Sequence, residues 1–178
     1  MKKDIMRALL GVVVLAVLGC TPTLNWREVR DPDGHWTALF PGKPAQLTRV
    51  LEVPGATGEP LSGVTLSLWS TRVSDQTFTI GRAAAPGVSP ERLRTALVQA
   101  RLANIRAALP DGSAEDRPID AHGQMRLDPK AEPVQARLTM RTVVAGDQVL
   151  EAIVAGPASS FDEEAAETFL RSARLGPP

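Results

Sequence analysis

The chain has 178 residues, enough for one domain with a core of its own. With 43% hydrophobic and 22% charged residues its composition is that of a globular protein. Twenty Lys and Arg balance twenty Asp and Glu, which excludes a nucleic-acid binder driven by a basic surplus. A single cysteine, Cys20, excludes a disulfide framework and a thiolate metal cluster, and only His35 and His122 remain as histidines.

Met1–Arg7 is a short basic opening, and Ala8–Gly19 then reads ALLGVVVLAVLG without a charge. As a helix that run covers about 18 Å, short of the ~30 Å hydrocarbon core, and it fits the apolar region of a secretory signal. Val17-Leu18-Gly19-Cys20 resembles the bacterial lipobox, in which an aliphatic residue, a tolerant position and a small residue precede the cysteine. Ordinary cleavage wants small residues at both recognition positions, and Val17 is a poor match for that. The resemblance implies that residues 1–19 are a signal peptide, that the Cys20 sulfur carries a diacylglycerol, and that the new amine is acylated. Several acyl chains hold far more firmly than one, so a permanent membrane anchor is expected. Thr21 stands where Asp is the usual inner-membrane retention signal, so the expected location is the periplasmic face of the outer membrane. Residues 20–25 then form the lipidated cysteine and a short tether, and 26–178 a single domain riding close to the bilayer. Without residues 1–19 the chain carries 17 basic and 19 acidic residues, a formal charge of −2.

Along the domain, Asp31-Pro32-Asp33-Gly34 predicts a turn, with Pro presetting φ and Gly taking the left-handed position. Alternation predicts a strand over 35–40, stopped by Pro41-Gly42-Lys43-Pro44, and further strands over 46–53, 64–69 and 76–82. The period then changes. Ser89-Pro90-Glu91 reads as a helix start, and the helix is expected to run to about Leu109 before Pro110-Asp111-Gly112. Its apolar arc comprises Leu93, Leu97, Val98, Leu102, Ile105 and Leu109, with Arg94 and Arg101 falling inside it. Two readings of these arginines stay open: stems packed on the sheet with heads reaching past the core edge, or contacts to an acidic partner.

Residues 110–133, rich in proline and acidic, predict a long connection with one strand near 119–125. A hairpin follows over 135–144 and 148–154, joined by Gly146-Asp147 as a type II′ turn. Ser160-Phe161-Asp162-Glu163 matches a capping box, and the last helix is expected to bury Ala166, Phe169, Leu170 and Ala173 before Arg174-Leu175 leaves as a terminal strand. The two helices need separate apolar surfaces. The expected fold is therefore α+β, with helices on opposite faces of a mostly antiparallel sheet.

Asp33-Gly34-His35-Trp36-Thr37-Ala38-Leu39-Phe40-Pro41-Gly42-Lys43-Pro44 resembles the opening of small bacterial proteins of the PsbP-like superfamily. Phe161–Ser172 resembles their closing helix, with Ala173 standing where a second aromatic often follows the serine. The resemblance implies an α/β/α sandwich around a mostly antiparallel sheet of about six strands. It also implies a binding or assembly role, since these relatives share no active site.

Tests for chemistry point the same way. A nucleophilic hydrolase needs an activated Ser or Cys, but there is no G-x-S-x-G, and the lipobox resemblance implies that Cys20 carries lipid. His35 beside Asp31 and Asp33 is a candidate acid–base or metal cluster, read more simply as a solvated turn. Asp120 and His122 share a strand face but lack a third ligand. Gly42-Lys43 lacks the spacing of a phosphate loop, and Asp31/Asp33/Gly34 lacks the later ligands of a calcium loop. Trp26, Trp36 and Trp69 are expected in the core or on a sheet face. The expected function is a non-catalytic envelope lipoprotein that binds or assembles another envelope protein, with no cofactor, metal or nucleic acid. Arg94 and Arg101 are its candidate contacts. The alternative is a periplasmic small-ligand carrier or hydrolase with His35 or His122 in its site.

Overall fold

The computed structural model describes residues 24–55, 58–110 and 117–176. The expected signal peptide, with Val17, Leu18 and Gly19 as its expected recognition residues, and Cys20 lie outside them. The elements run β1 (Arg27–Arg30), β2 (Trp36–Phe40), β3 (Ala45–Val53), β4 (Leu61–Val73), β5 (Gln76–Ala84), α1 (Pro90–Asn104), β6 (Ile119–Met125), β7 (Val134–Ala145), β8 (Gln148–Pro157), a 3₁₀ turn Ala158–Ser160, α2 (Glu163–Ser172) and β9 (Arg174–Leu175). The protein is mixed α+β. Six strands form an antiparallel sheet in the order β3-β4-β5-β8-β7-β6, and β1-β2-β9 form a separate three-stranded sheet.

Strand β8 shows how the layers are built. Val149 and Ile153 turn to the side where Leu93, Ala96, Leu97, Val98 and Leu102 of α1 pack. Leu150, Ala152 and Val154 turn to the other side, beneath Ala165, Ala166, Phe169 and Leu170 of α2. A strand buried on both faces loses the alternation of a half-exposed one and reads as a continuous apolar run. The three-stranded sheet shares the α2 side: Trp36, Ala38 and Phe40 of β2 join the same cluster. Phe169 is the hub there, with ring centroids 5.1 Å from Phe40 and 5.6 Å from Phe78. Trp36 and Trp69 are buried and Trp26 is half-buried, as expected of core and sheet-face residues.

The turns follow their sequence signals. Gly34 has φ +77° with its N–H bonded to the Asp31 carbonyl. Gly146 has φ +63° between the paired Ala145 and Gln148, the first-position glycine that a type II′ turn requires. Ser89 caps α1 by accepting from the Arg92 N–H.

Several boundaries differ from expectation: β4 spans Leu61–Val73 rather than 64–69, β8 reaches Pro157 rather than 154, and three further differences have a visible cause. Helix α1 ends at Asn104, a turn before Leu109, which is 54% exposed. Arg106 takes φ +51°, and the N–H groups of Arg106 and Ala107 bond to the carbonyls of Ala103 and Leu102, closing a Schellman motif. The cause is tertiary: the Ile105 carbonyl accepts from Gln124 N–H of β6 at 2.6 Å, and Gly123 leaves room for that approach. The cap of α2 is Asp162 rather than Ser160. Its side chain accepts from Ala165 N–H, and buried Gln76 holds its backbone by donating to the Asp162 carbonyl and accepting from its N–H. Strand β1, four residues with three charges, carries no alternation signal and exists through pairing with β2.

Candidate functional site

The register of β6 on β7 pairs Asp120 with Thr139 and His122 with Arg137, so these side chains share the face turned toward α2. Helix α2 lies over β2, β8 and β7, with little contact to the edge strand β6. The result is a cleft of about 800 Å³, with Asp120, Arg137, Thr139 and Arg141 along one side and Phe161, Glu163, Glu164 and Glu167 along the other.

Arg137 organises the cleft. Its Nε and NH2 donate to the two oxygens of Asp120 at 2.9 and 2.8 Å, the planar fork that guanidinium and carboxylate share. NH1 donates to Glu163 at the start of α2, and the guanidinium lies 5.0 Å from the centre of the Phe161 ring. The hydrogen bond from Arg137 holds the Asp120 carboxyl below its usual range, against its partial burial and with help from the nearby charges of Arg137 and His122. The bond to Asp120 likewise raises the guanidinium's affinity for its proton. Arg141, further along β7, donates to the carbonyls of Leu170 and Ala173 at the C-terminal end of α2. Arg137 and Arg141 thus clamp both ends of α2 to the sheet.

Where β7 runs past its pairing with β6, a second recess at the sheet edge is lined by Glu91, Arg94, Arg117, Arg141, Thr142 and Val143. Arg94 is half-buried there and donates from Nε to the Thr142 hydroxyl at 3.2 Å. Arg101, which the sequence places on the same helix edge, turns inward. Its NH2 lies 2.8 Å from Oε2 of Glu151, a fully buried carboxylate at the centre of β8. The pair sits between the cluster around Leu93 and Val149 and the cluster around Leu102 and Ile153, dividing the core beneath α1. Gly81, opposite Glu151 in β5, makes room for it: a Cβ there would meet Oε2 at 3.0 Å.

Asp31, Asp33 and His35 offer ligand atoms within 4.8 Å of one another, as their spacing suggests. Arg82 stands between the two carboxylates, with NH1 3.2 Å from Asp31 and 2.9 Å from Asp33, and also lies over the Trp69 ring. A guanidinium therefore holds the place a cation would take, and Asp31 further accepts from His35 N–H. His122 is exposed on β6, and neither histidine lines the cleft or the recess. Among the described residues no helix is long and apolar enough to cross a membrane.

Asp120, Arg94 and Arg101 stand out in the sequence as candidate site residues, whereas Arg137 and Glu151 do not and Glu163 stands out only as part of a helix cap. Arg137 and Glu163 are surface-type residues on different elements, and only the strand register brings them together. Glu151 had one local signal, a lone acid inside the apolar run Val149–Val154. Comparison with known protein families, with curated proteins and with solved structures finds no match to this chain.

Proposed function

We propose that the chain is a bacterial lipoprotein anchored through Cys20, whose domain binds or helps assemble another envelope protein and carries out no reaction of its own. The observation that supports this reading is the state of the charged groups in the cleft. Arg137 is committed to Asp120, Glu163 and Phe161, and Arg141 to the end of α2. Groups locked together in this way form a fixed charge pattern, which suits recognition of a protein surface better than the movement of protons.

We further propose that the fold is PsbP-like. In support, the two stretches that carry the resemblance meet in space: Phe40 packs edge-on against Phe169, and Leu39 N–H donates to the Ser172 hydroxyl at 2.9 Å.

The test is photocrosslinking in intact cells from a benzophenone side chain at Glu164, on the rim of the cleft. One reproducible envelope protein, lost when Thr139 is replaced by Arg to block the cleft, is the expected result. No reproducible adduct, or adducts indifferent to Thr139→Arg, would count against the reading. Separately, Cys20→Ser should release the protein from the membrane and abolish lipid labelling.

A further inference from the structure

We infer that one end of the main sheet, where the chain enters the domain, faces phospholipid headgroups. This rests on the lipid anchor at Cys20 proposed above.

Leu24 and Trp26 are half-buried against the α2-side core, Trp26 packs edge-on against Phe78, and Asn25 N–H donates to the Pro41 carbonyl at 2.9 Å. The entry point is therefore part of the folded domain. Three residues separate Cys20 from Leu24, so the four steps between them put the Cys20 Cα at most about 14 Å beyond it. The surface within that reach is built by the Pro41–Pro44 segment and the turn between β4 and β5. A Cβ at Gly42 would meet the side chains of Thr71 and Val73, which places these two segments together. The opposite end is too far. The Gly146–Asp147 turn lies eight residues along β8 from Ala155, which pairs with Thr77, a distance of about 26 Å.

The chemistry of the near end suits anionic headgroups. Arg27, Lys43 and Arg72 are all exposed there. Several carboxylates of this end are engaged: Asp75 by Arg72 at 3.0 Å, Glu28 by Arg30, Asp162 by the Ala165 N–H and Glu163 by Arg137. Arg27 and Lys43 have no ion-pair partner among the described residues. Basic side chains beside a membrane anchor are attracted to anionic lipid over roughly a Debye length. In this orientation the recess at Arg94 and Val143 lies toward the far turn, pointing away from the bilayer and open to a protein partner.

The test uses the full-length lipoprotein in phosphatidylcholine vesicles, with and without phosphatidylglycerol, containing a headgroup nitroxide lipid. A fluorophore is attached at Ser74→Cys in the near turn or at Asp147→Cys in the far one. Several-fold stronger quenching at position 74 is expected, strengthened by phosphatidylglycerol and reduced by Lys43→Glu. Equal quenching at both positions, or stronger quenching at 147, in protein that still floats with the vesicles overturns the assigned face and leaves the anchor standing. Quenching indifferent to Lys43→Glu and to phosphatidylglycerol overturns the headgroup-charge part. A free Cys20 thiol by mass spectrometry, in protein that does not float, removes the anchor and the face together.

Discussion

Replacing Arg101 by leucine tests the charge buried beneath α1. Glu151 is fully buried and Arg101 is its ion-pair partner, while Oε1 of Glu151 and Nε of Arg101 have no further partner among the described residues. Taking a carboxylate out of water costs several kcal/mol, and the guanidinium 2.8 Å away offsets much of that. Arg101→Leu leaves the charge uncompensated between two apolar clusters, so a loss of about 3–5 kcal/mol is expected. Domains of this kind hold roughly 5–15 kcal/mol in all, so the loss is a large fraction. The double variant Arg101→Leu/Glu151→Leu joins the two clusters with side chains of similar volume and should recover most of it, to within about 1 kcal/mol of the parent. Urea unfolding followed by the emission of buried Trp36 and Trp69 measures both, provided the slope of free energy against urea is unchanged. A single variant less than about 1 kcal/mol below the parent, or a double variant as unstable as the single, would refute the argument.

The remaining predictions concern the joints of the fold. Gly123→Ala places a Cβ 1.9 Å from the Ile105 carbonyl oxygen, a backbone atom with little freedom to move. It should cost about 2–3 kcal/mol and expose the Gln124 amide to hydrogen exchange. Gln76→Leu leaves the Asp162 N–H and carbonyl without their side-chain partner. A loss of about 1–3 kcal/mol is expected, with amide exchange accelerated in the first turn of α2 before the rest of the helix. Asp120→Asn tests the cleft by pH. The folded-state pKa of Asp120 is depressed, so its contribution is present above the unfolded value of about 3.9 and disappears as pH falls through the folded value. The side chain is 42% exposed and solvent screens it, so the melting-temperature difference at pH 6 should correspond to under about 1 kcal/mol and shrink as pH falls below the unfolded value. A difference that does not shrink with falling pH would contradict the electrostatic origin.

Much of the fold is legible in the sequence because its signals are local. The turn at Asp31–Gly34, the hairpin at Gly146–Asp147 and the cap at Ser89 each depend on a few adjacent residues with particular backbone preferences. Two residues of the same stretch, Ser160 and Asp162, both suit the cap of α2. Gln76, 86 residues away, selects Asp162 by binding its backbone. The site was less legible. Asp120 and His122 share a face by simple alternation, but the partner that commits Asp120 is Arg137, across a strand boundary set by register. Arg101 was recognisable as a charge on an apolar arc, and whether it turned outward or inward depended on what β8 placed beneath it.

From its own letters the chain determined the periods and the punctuation: alternation for the strands, the switch to a helical repeat at Ser89, and an apolar stripe for each helix. Those are consequences of backbone geometry and hold before any long-range contact forms. Tertiary structure alone decided that β2 leaves the main sheet to join β1 and β9, that α1 halts at Asn104, and that Glu151 meets Arg101. Each of these turns on groups far apart in the chain whose desolvation must be balanced by a neighbour, and only the folded register supplies that neighbour.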